Sequence, residues 1–382
     1  MDKFKLRELK NANNEKELES IGFDSSYRFR AVEKMDCRLI KVYSLSPAQA
    51  NILKQTAISI GADCLTHREV VTGKVELSDA IITANTAEIK KLSQKLLFQP
   101  LGLKSLAGQL LEFCDKQERS TKLVGILNLT SDSFSDGGQY LDIKSAIAHF
   151  DTLINDGADC IDIGAESTRP GSQPVDAKVQ LERILPILEY AKFSNCEIPL
   201  SIDTRSHVVA EEVLKLGNYI INDVSGFEFD KKMPLVLAKY NAKTIIQHSY
   251  STPDIMQNNP IYNDVVEDVY MFLREKVKFA KEIGLTEIIV DPGIGFGKTK
   301  QHNHEILTRV EEFYSLGCPV MVGVSRKSML GIEDDDNNLK DIMTLALNSR
   351  LIEKGVDYLR VHNVKLHKDF FEKTLGKIEK NS

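Results

Sequence analysis

The sequence predicts an α/β protein: a TIM (β/α)8 barrel preceded by a small N-terminal α/β domain. Three observations carry that reading. From Lys122 onward, eight short apolar runs alternate with segments whose apolar residues fall at three- and four-residue spacing. The runs are apolar on both faces and always joined through a helical pattern, as in a parallel sheet covered by helices. Polar residues then recur at or just past the C-terminal ends of the runs: Asn128, Asp162, Asp203, Asn222, His248, Asp291, Ser325 with Lys327, and Arg360 with His362. In a barrel those ends converge on one mouth, which favours it over a doubly wound open sheet.

Taken in order, residues 1–120 do not follow the strand-helix rhythm. Leu39 to Tyr43 and Ala80 to Thr83 read as strands, and Pro47 to Ile60, Thr86 to Leu96 and Leu106 to Phe113 as helices. The apolar patch Leu106, Leu110, Leu111, Phe113 implies packing against another surface. The stretch CDKQERSTK, short of apolar residues, reads as a linker. The barrel then occupies 121–382, with strands KLVGILNL, CIDIGA, IPLSID, YIINDV, AKTIIQH, EIIVDP, PVMVGV and DYLRVH. Glycines 157, 217, 284 and 355 punctuate the helix ends. Eight such units over roughly 255 residues match the usual barrel size.

Composition narrows the function. The 382 residues are 42% hydrophobic and 27% charged, with a formal net charge of −6, so no general field holds a polyanion and nucleic acid is not expected as a partner. The first twenty residues lack an apolar signal core, and no uncharged apolar run reaches about 18 residues, so neither membrane insertion nor export is expected and the protein is read as cytoplasmic. Cys37, Cys64, Cys114, Cys160, Cys196 and Cys318 are scattered without C-x-x-C pairs and read as reduced structural thiols.

The stretch DPGIGFGKTK, residues 291–300, nearly spells a nucleotide-binding P-loop but is one residue short of its spacing. Other loops carry more. GILNLTSDSFSDGG places Phe134 alone in a polar loop, where an aromatic ring can cover a flat ligand. Glu166, Thr168 and Arg169 lie beside the mouth, and an arginine fork there suits a carboxylate or phosphate. Asp203, Asn222 and Asp291 form a carboxylate and carboxamide set suited to the edge of a flat heterocycle bearing donors and acceptors. Arg326, Lys327, Arg360 and His362 gather on the loops after strands seven and eight, where TIM barrels often bind phosphate.

Together these residues resemble dihydropteroate synthase. N-x-T-x-D-S-F-S-D-G-G stands at 128–138, E-S-T-R-P-G at 166–171, I-D-T at 202–204, I-N-D at 221–223, D-P-G-x-G-F-G-K at 291–298, S-R-K-S at 325–328 and R-V-H at 360–362. The resemblance covers roughly residues 121–375. It implies an enzyme of folate biosynthesis that condenses hydroxymethyl-dihydropterin pyrophosphate with para-aminobenzoate, releasing pyrophosphate, and that is a target of sulfonamides. It further implies a pterin pocket on Asp203, Asn222, Asp291 and Lys327 with Phe296 at its edge, and a pyrophosphate site on Asn128, Arg360 and His362. Asn128 would also contact a Mg²⁺ cofactor. The aminobenzoate site would comprise Phe134, Asp136, Thr168, Arg169, Pro170 and Ser328, the last at a helix N-terminus. Catalytic roles would fall to Lys327, Asp136, Arg360 and His362, and the oligomer would be a homodimer. The glycines of 293–297 would bring the backbone close to the pterin, so Lys298 is not a P-loop lysine. His248-Ser249-Tyr250-Ser251-Thr252-Pro253 departs from the family's H-M-x-G-x-P, losing an apolar contact in the pterin pocket.

Overall fold

Two separate cores follow from the two rhythms of the sequence. The computed structural model describes residues 14–114, 119–129, 138–167, 172–250, 260–332 and 336–378. The chain divides into two units, Met1–Glu118 and Arg119–Ser382. In the first, β1 (Cys37–Leu45), β2 (Asp63–Thr66) and β3 (Ser78–Asn85) form an antiparallel sheet in the order β1-β3-β2. Along β3, Ser78, Ala80, Ile82 and Ala84 are buried while Asp79 and Ile81 are exposed, the two-residue period of a strand with one covered face.

Among the described residues, five α-helices belong to this unit: α1 (Asn14–Ser20), α2 (Arg28–Met35), α3 (Pro47–Ile58), α4 (Thr86–Leu96) and α5 (Leu103–Glu112). Capping boxes start α3, with Ser46 and Gln49, and α4, with Asn85 and Glu88. The sequence reading placed β1, β3, α3, α4 and α5 but omitted β2, α1 and α2. The apolar patch on α5 has its partner inside the unit: Leu103, Ala107 and Leu110 are buried in the unit's own core, Leu106 and Phe113 pack against it, and Leu111 stays exposed.

Among the described residues the second unit holds eight strands: β4 (Lys122–Asn128), β5 (Cys160–Gly164), β6 (Leu200–Asp203), β7 (Ile220–Asp223), β8 (Thr244–Gln247), β9 (Ile288–Asp291), β10 (Met321–Val322) and β11 (Tyr358–Val361). All pair in parallel, in the order β10-β11-β4-β5-β6-β7-β8-β9. A parallel bridge between Val290 and Val320, with Val290 N donating to Pro319 O at 2.9 Å, joins the two ends and closes the barrel. Each strand is followed by a helix: α6 (Gly138–Asn155), α7 (Ala177–Phe193), α8 (His207–Leu214), α9 (Met233–Tyr240), α10 (Val265–Glu282), α11 (Lys300–Thr308), α12 (Asn337–Glu353) and α13 (Val364–Ile378). Among the described residues no helix is long and apolar enough to cross a membrane.

Side-chain alternation sorts the strands into an outer core and an interior. Ile161, Ile163, Ile202, Ile221, Ile246 and Val290 join the apolar layer shared with the helices. Val124, Cys160, Ile220, Ile245, Ile289 and Met321 form a separate apolar cluster that fills the barrel floor. Two residues further along the same inward faces stand Asp162, Asn222 and Asp291, and from Tyr358 on the last strand, Arg360. A packed floor therefore leaves these polar groups at the mouth.

Candidate active site

Six charged or amide side chains meet at the C-terminal ends of the strands: Asp162, Asp203, Asn222, Asp291, Lys327 and Arg360. Asp203 ends β6 in register with Gly164 on one side and Asn222 on the other, and Asp291 ends β9 beside Gln247. The Arg360 guanidinium reaches across from β11. Its Nε donates to Asp162 Oδ2 at 2.6 Å and its Nη2 to Asp203 Oδ2 at 3.1 Å. Asn222 Nδ2 donates to the same Asp162 oxygen at 3.1 Å. Lys327, on the loop after β10, donates from Nζ to Ile294 O at 2.5 Å and lies 4.8 Å from the Phe296 ring centroid.

Burial governs the electrostatics here. Asp203 is pushed up to about 7 by desolvation and by the neighbouring Asp162 charge, with Arg360 opposing. Burial likewise raises Asp291, against the pull of Lys327. It lowers Lys327 to about 8, although Asp291 favours the ammonium. Desolvation also works against the Arg360 charge, but Asp162 and Asp203 outweigh it and hold its pKa above the ordinary value. The result is a compact array of three carboxylates and two cations, with donors and acceptors facing a common space.

The loop after β9 settles the P-loop question. Gly293 has φ +68°, and a Cβ there would stand 1.8 Å from His248 O, so only glycine lets the two loops touch. The Lys298 side chain turns back into its own loop, where Nζ contacts Gly293 O at 2.9 Å, Phe296 O at 3.1 Å and His248 Nδ1 at 2.8 Å. It is buried, and burial holds both Lys298 and His248 well below their ordinary pKa values. Lys298 is a clamp that shapes the loop carrying Ile294 O and Phe296, not a phosphate ligand. Tyr250, from the altered motif after β8, packs edge-on against Tyr262, whose hydroxyl donates to Gly297 O at 2.9 Å.

On the loops after β10 and β11 the expected cations have partners of their own. Arg326 makes a bidentate pair with Asp341 at 2.8 Å from both Nε and Nη2, and Asn363 donates to the same carboxylate at 3.1 Å. Arg326 therefore anchors α12 and does not join the anion pocket that the charge count suggested. His362 Nδ1 lies 2.9 Å from Ser325 Oγ. Ser328 corrects the expectation of a helix N-terminus: it opens a three-residue 3-10 turn, Ser328–Leu330, and the α-helix of that repeat starts only at Asn337. One short turn aligns too few peptide dipoles to act as a helix end.

Two further features frame the mouth. Glu166 and Arg205 form a buried two-point pair at 2.9 and 3.1 Å, and the Arg205 guanidinium stacks 4.1 Å from the Phe229 ring centroid. Asn128 ends β4, and its Oδ1 and the Asp203 Oδ2 both come within van der Waals range of Gly164, so two hard oxygens lie on the same side of the mouth. Among the described residues no group of three His, Cys, Asp or Glu side chains is placed to hold a metal. The donor set fits a magnesium ion, which takes one or two protein oxygens and completes its shell with phosphate and water. Phe134, Asp136, Thr168, Arg169 and Pro170 lie outside the described residues.

Asp162, Arg205 and Asp341 are the participants that sequence reading left without a role. Asp162 was visible as a polar strand end, but its partners Asn222 and Arg360 come from distant parts of the chain. No local pattern pairs Glu166 with Arg205 or Arg326 with Asp341.

Comparison with known proteins places this geometry. A family model described as pterin binding enzyme matches residues 124–362. The crystal structure of a dihydropteroate synthase from Clostridium difficile, obtained in the presence of pteroic acid, is 38% identical, covers 69% of this chain and 98% of its own, and superposes with a TM-score of 0.62. A probable bifunctional folylpolyglutamate synthase/dihydropteroate synthase of Halobacterium salinarum is 38% identical over 330 residues, covering 83% of this chain; the chain spans only 40% of that relative's length. A bifunctional dihydropteroate synthase/dihydropteroate reductase of Helicobacter pylori is 32% identical over 370 residues, 95% of both chains.

Proposed function

The chain belongs to the pterin-binding enzyme family, and from that premise we propose that it is a dihydropteroate synthase, joining hydroxymethyl-dihydropterin pyrophosphate to para-aminobenzoate. The observation that carries the reading is the gathering of Asp203, Asn222, Asp291, Arg360 and Lys327 at the barrel mouth: Arg360 bonds Asp203 and, through Asp162, is tied to Asn222, while the Asp291 charge attracts Lys327. Asp291 is assigned the amino-bearing edge of the pterin, where a carboxylate takes two N–H groups, and Lys327 the acceptor side of the ring.

In the reaction the bond from the pterin methylene to oxygen breaks and pyrophosphate departs with the electron pair. The aminobenzoate nitrogen forms the new bond and releases a proton. Arg360 and His362 are assigned the leaving group and Asn128 a magnesium ion, which when bound would supply charge neutralisation to the pyrophosphate. The protein's own part is orientation and fixed charge, with no covalent nucleophile. Phe134, Asp136, Thr168, Arg169, Pro170 and Ser328 are assigned the aminobenzoate side, where sulfonamides would compete.

Incubating the full chain with pterin pyrophosphate, aminobenzoate and Mg²⁺ should yield dihydropteroate and pyrophosphate. Absence of product with both substrates bound would overturn the assignment. Cytoplasmic location and a homodimer are part of the same proposal. For the dimer, α12 presents Leu339, Ile342 and Met343 as exposed apolar residues, a stripe that a second copy could cover.

A second activity has specific support. The Helicobacter pylori relative aligned along nearly its whole length, first unit included, is named both synthase and dihydropteroate reductase. Presenting the full chain with dihydropteroate and a nicotinamide or reduced-flavin donor tests this. Tetrahydropteroate formation supports it, and its absence with either donor removes it.

A further inference from the structure

Asp162 is a buried group at the centre of this cluster to which the reaction above gives no task. Its side chain is closed to solvent, so it can meet a bound substrate only through its neighbours. One oxygen, Oδ2, receives Arg360 Nε at 2.6 Å and Asn222 Nδ2 at 3.1 Å. Because Oδ2 already accepts from the guanidinium, the amide edge that faces it must be the nitrogen; the reverse orientation would set two oxygens against each other. The Asn222 carbonyl oxygen is thereby turned elsewhere. It is buried, and among the described residues it has no hydrogen-bond partner. A buried acceptor left open destabilises the empty protein and is satisfied when a ligand brings a donor.

The same carboxylate fixes the cation. Arg360 is held at two points, by Asp162 on β5 and Asp203 on β6, so its guanidinium plane spans both strands. A two-point clamp defines orientation in a way that one contact does not. Without Asp162, Asn222 could turn either edge outward and Arg360 would pivot on Asp203 alone.

We propose that Asp162 is a positioning residue of this site: it commits Asn222 to accept a hydrogen bond from an N–H of the pterin and holds Arg360 across β5 and β6. The inference rests on the pterin-binding reading above. It assigns selectivity for a ring that offers a donor at that edge, and disfavours one that offers an acceptor.

The test is Asp162→Asn in the full chain. Its amide oxygen can still accept from Arg360 and Asn222, but without the carboxylate charge both contacts weaken and neither partner is held as firmly. Loss of a charge-assisted contact predicts a rise in the pterin pyrophosphate KM on the order of tenfold to a hundredfold, with the aminobenzoate KM unchanged. A role confined to fold stability would move both KM values together or neither, and either result overturns the proposal. A second measurement needs no variant. In unliganded wild-type protein carrying ¹⁵N-asparagine, the Asn222 side-chain N–H pair should be protected from exchange and stay so when pterin is added. Rapid exchange, or transfer of that N–H pair to the ligand, overturns the proposal even if Asp162→Asn does not fold. Wild-type protein that neither binds pterin nor turns over would defeat the synthase reading instead, and the exchange result in the free protein separates the two failures.

Discussion

Replacing Arg360 with methionine removes a cation that touches both Asp162 and Asp203 while keeping similar apolar bulk. Asp162 is fully buried, Asp203 nearly so, and the Arg360 side chain is 20% exposed, so water screens little of the loss. Breaking a buried pair by deleting one partner typically destabilises by about 3–5 kcal/mol. For a unit of this size about 3 kcal/mol lowers the transition by roughly 6–12 °C. The loss should depend on pH. With Arg360 present, Asp203 already sits at about 7 because of burial and Asp162. Without it, the folded-state value rises further, while the unfolded value stays near the ordinary ~3.9. Between those values the folded state binds the extra proton, so stability falls as pH rises through the window and is recovered on acidification. Calorimetry at pH 6 and pH 8 should therefore show a smaller gap between variant and wild type at pH 6. A gap that does not change with pH, or no gap at all, would refute the view that Arg360 neutralises a buried carboxylate pair.

Three further outcomes follow from the site. Lys327→Ala and Asp291→Ala should each lower kcat/KM for the pterin substrate roughly tenfold to a hundredfold with the fold intact, since each removes a charge-assisted contact of about 1.5–3 kcal/mol; with Lys327 lowered to about 8 by burial, wild-type kcat/KM for the pterin substrate should decline as pH rises through about 8, and near-normal turnover of either variant or a flat profile to higher pH would contradict the assignment. Aminobenzoate affinity should be poor until pterin pyrophosphate or pyrophosphate is bound, and calorimetry showing equal affinity for the free protein would remove this ordering. A chain beginning at Glu118 keeps the Arg119–Asp357 pair and the Thr121 bond to Val356 O, so it should fold and retain synthase activity; a well-folded truncated chain with none would place part of the active site in the first unit.

The barrel was legible because its signal is redundant. Each strand announces itself by an apolar run, and the eight recur at similar spacing. Short β2, reading DCLT, lacks such a run, and α1 and α2 lie in a charged stretch with few buried positions, so neither stood out. The α5 patch shows a related limit: an apolar helix face tells that something covers it but not what, and the cover is α4 of the same unit, with Ser93 Oγ donating to Ala107 O at 2.7 Å. Charge counting failed in the same way at Arg326. Sequence shows four cations on two loops, but not that Asp341 on α12 already neutralises one of them. Asp162 and Arg360 lie 198 residues apart, and the pairing of β4 with both β5 and β11 brings them together.

The site also explains why so many charges are tolerated inside a fold. Isolated buried charges are strongly unfavourable, and buried pairs often do no better than apolar packing. Here Arg360 is satisfied at two carboxylates, Lys298 by the backbone of its own loop, and Lys327 by Ile294 O. What stays open in this network is chemically selective: Asn222 Oδ1 is a buried acceptor without a partner among the described residues. The fold has thus fixed its charges before a substrate arrives and left that acceptor unfilled. A flat ring with an N–H donor completes the pattern without rearranging it, whereas a purely apolar ring would leave the buried acceptor open. Stability lost in the empty barrel is returned on binding, so discrimination is built into the network itself.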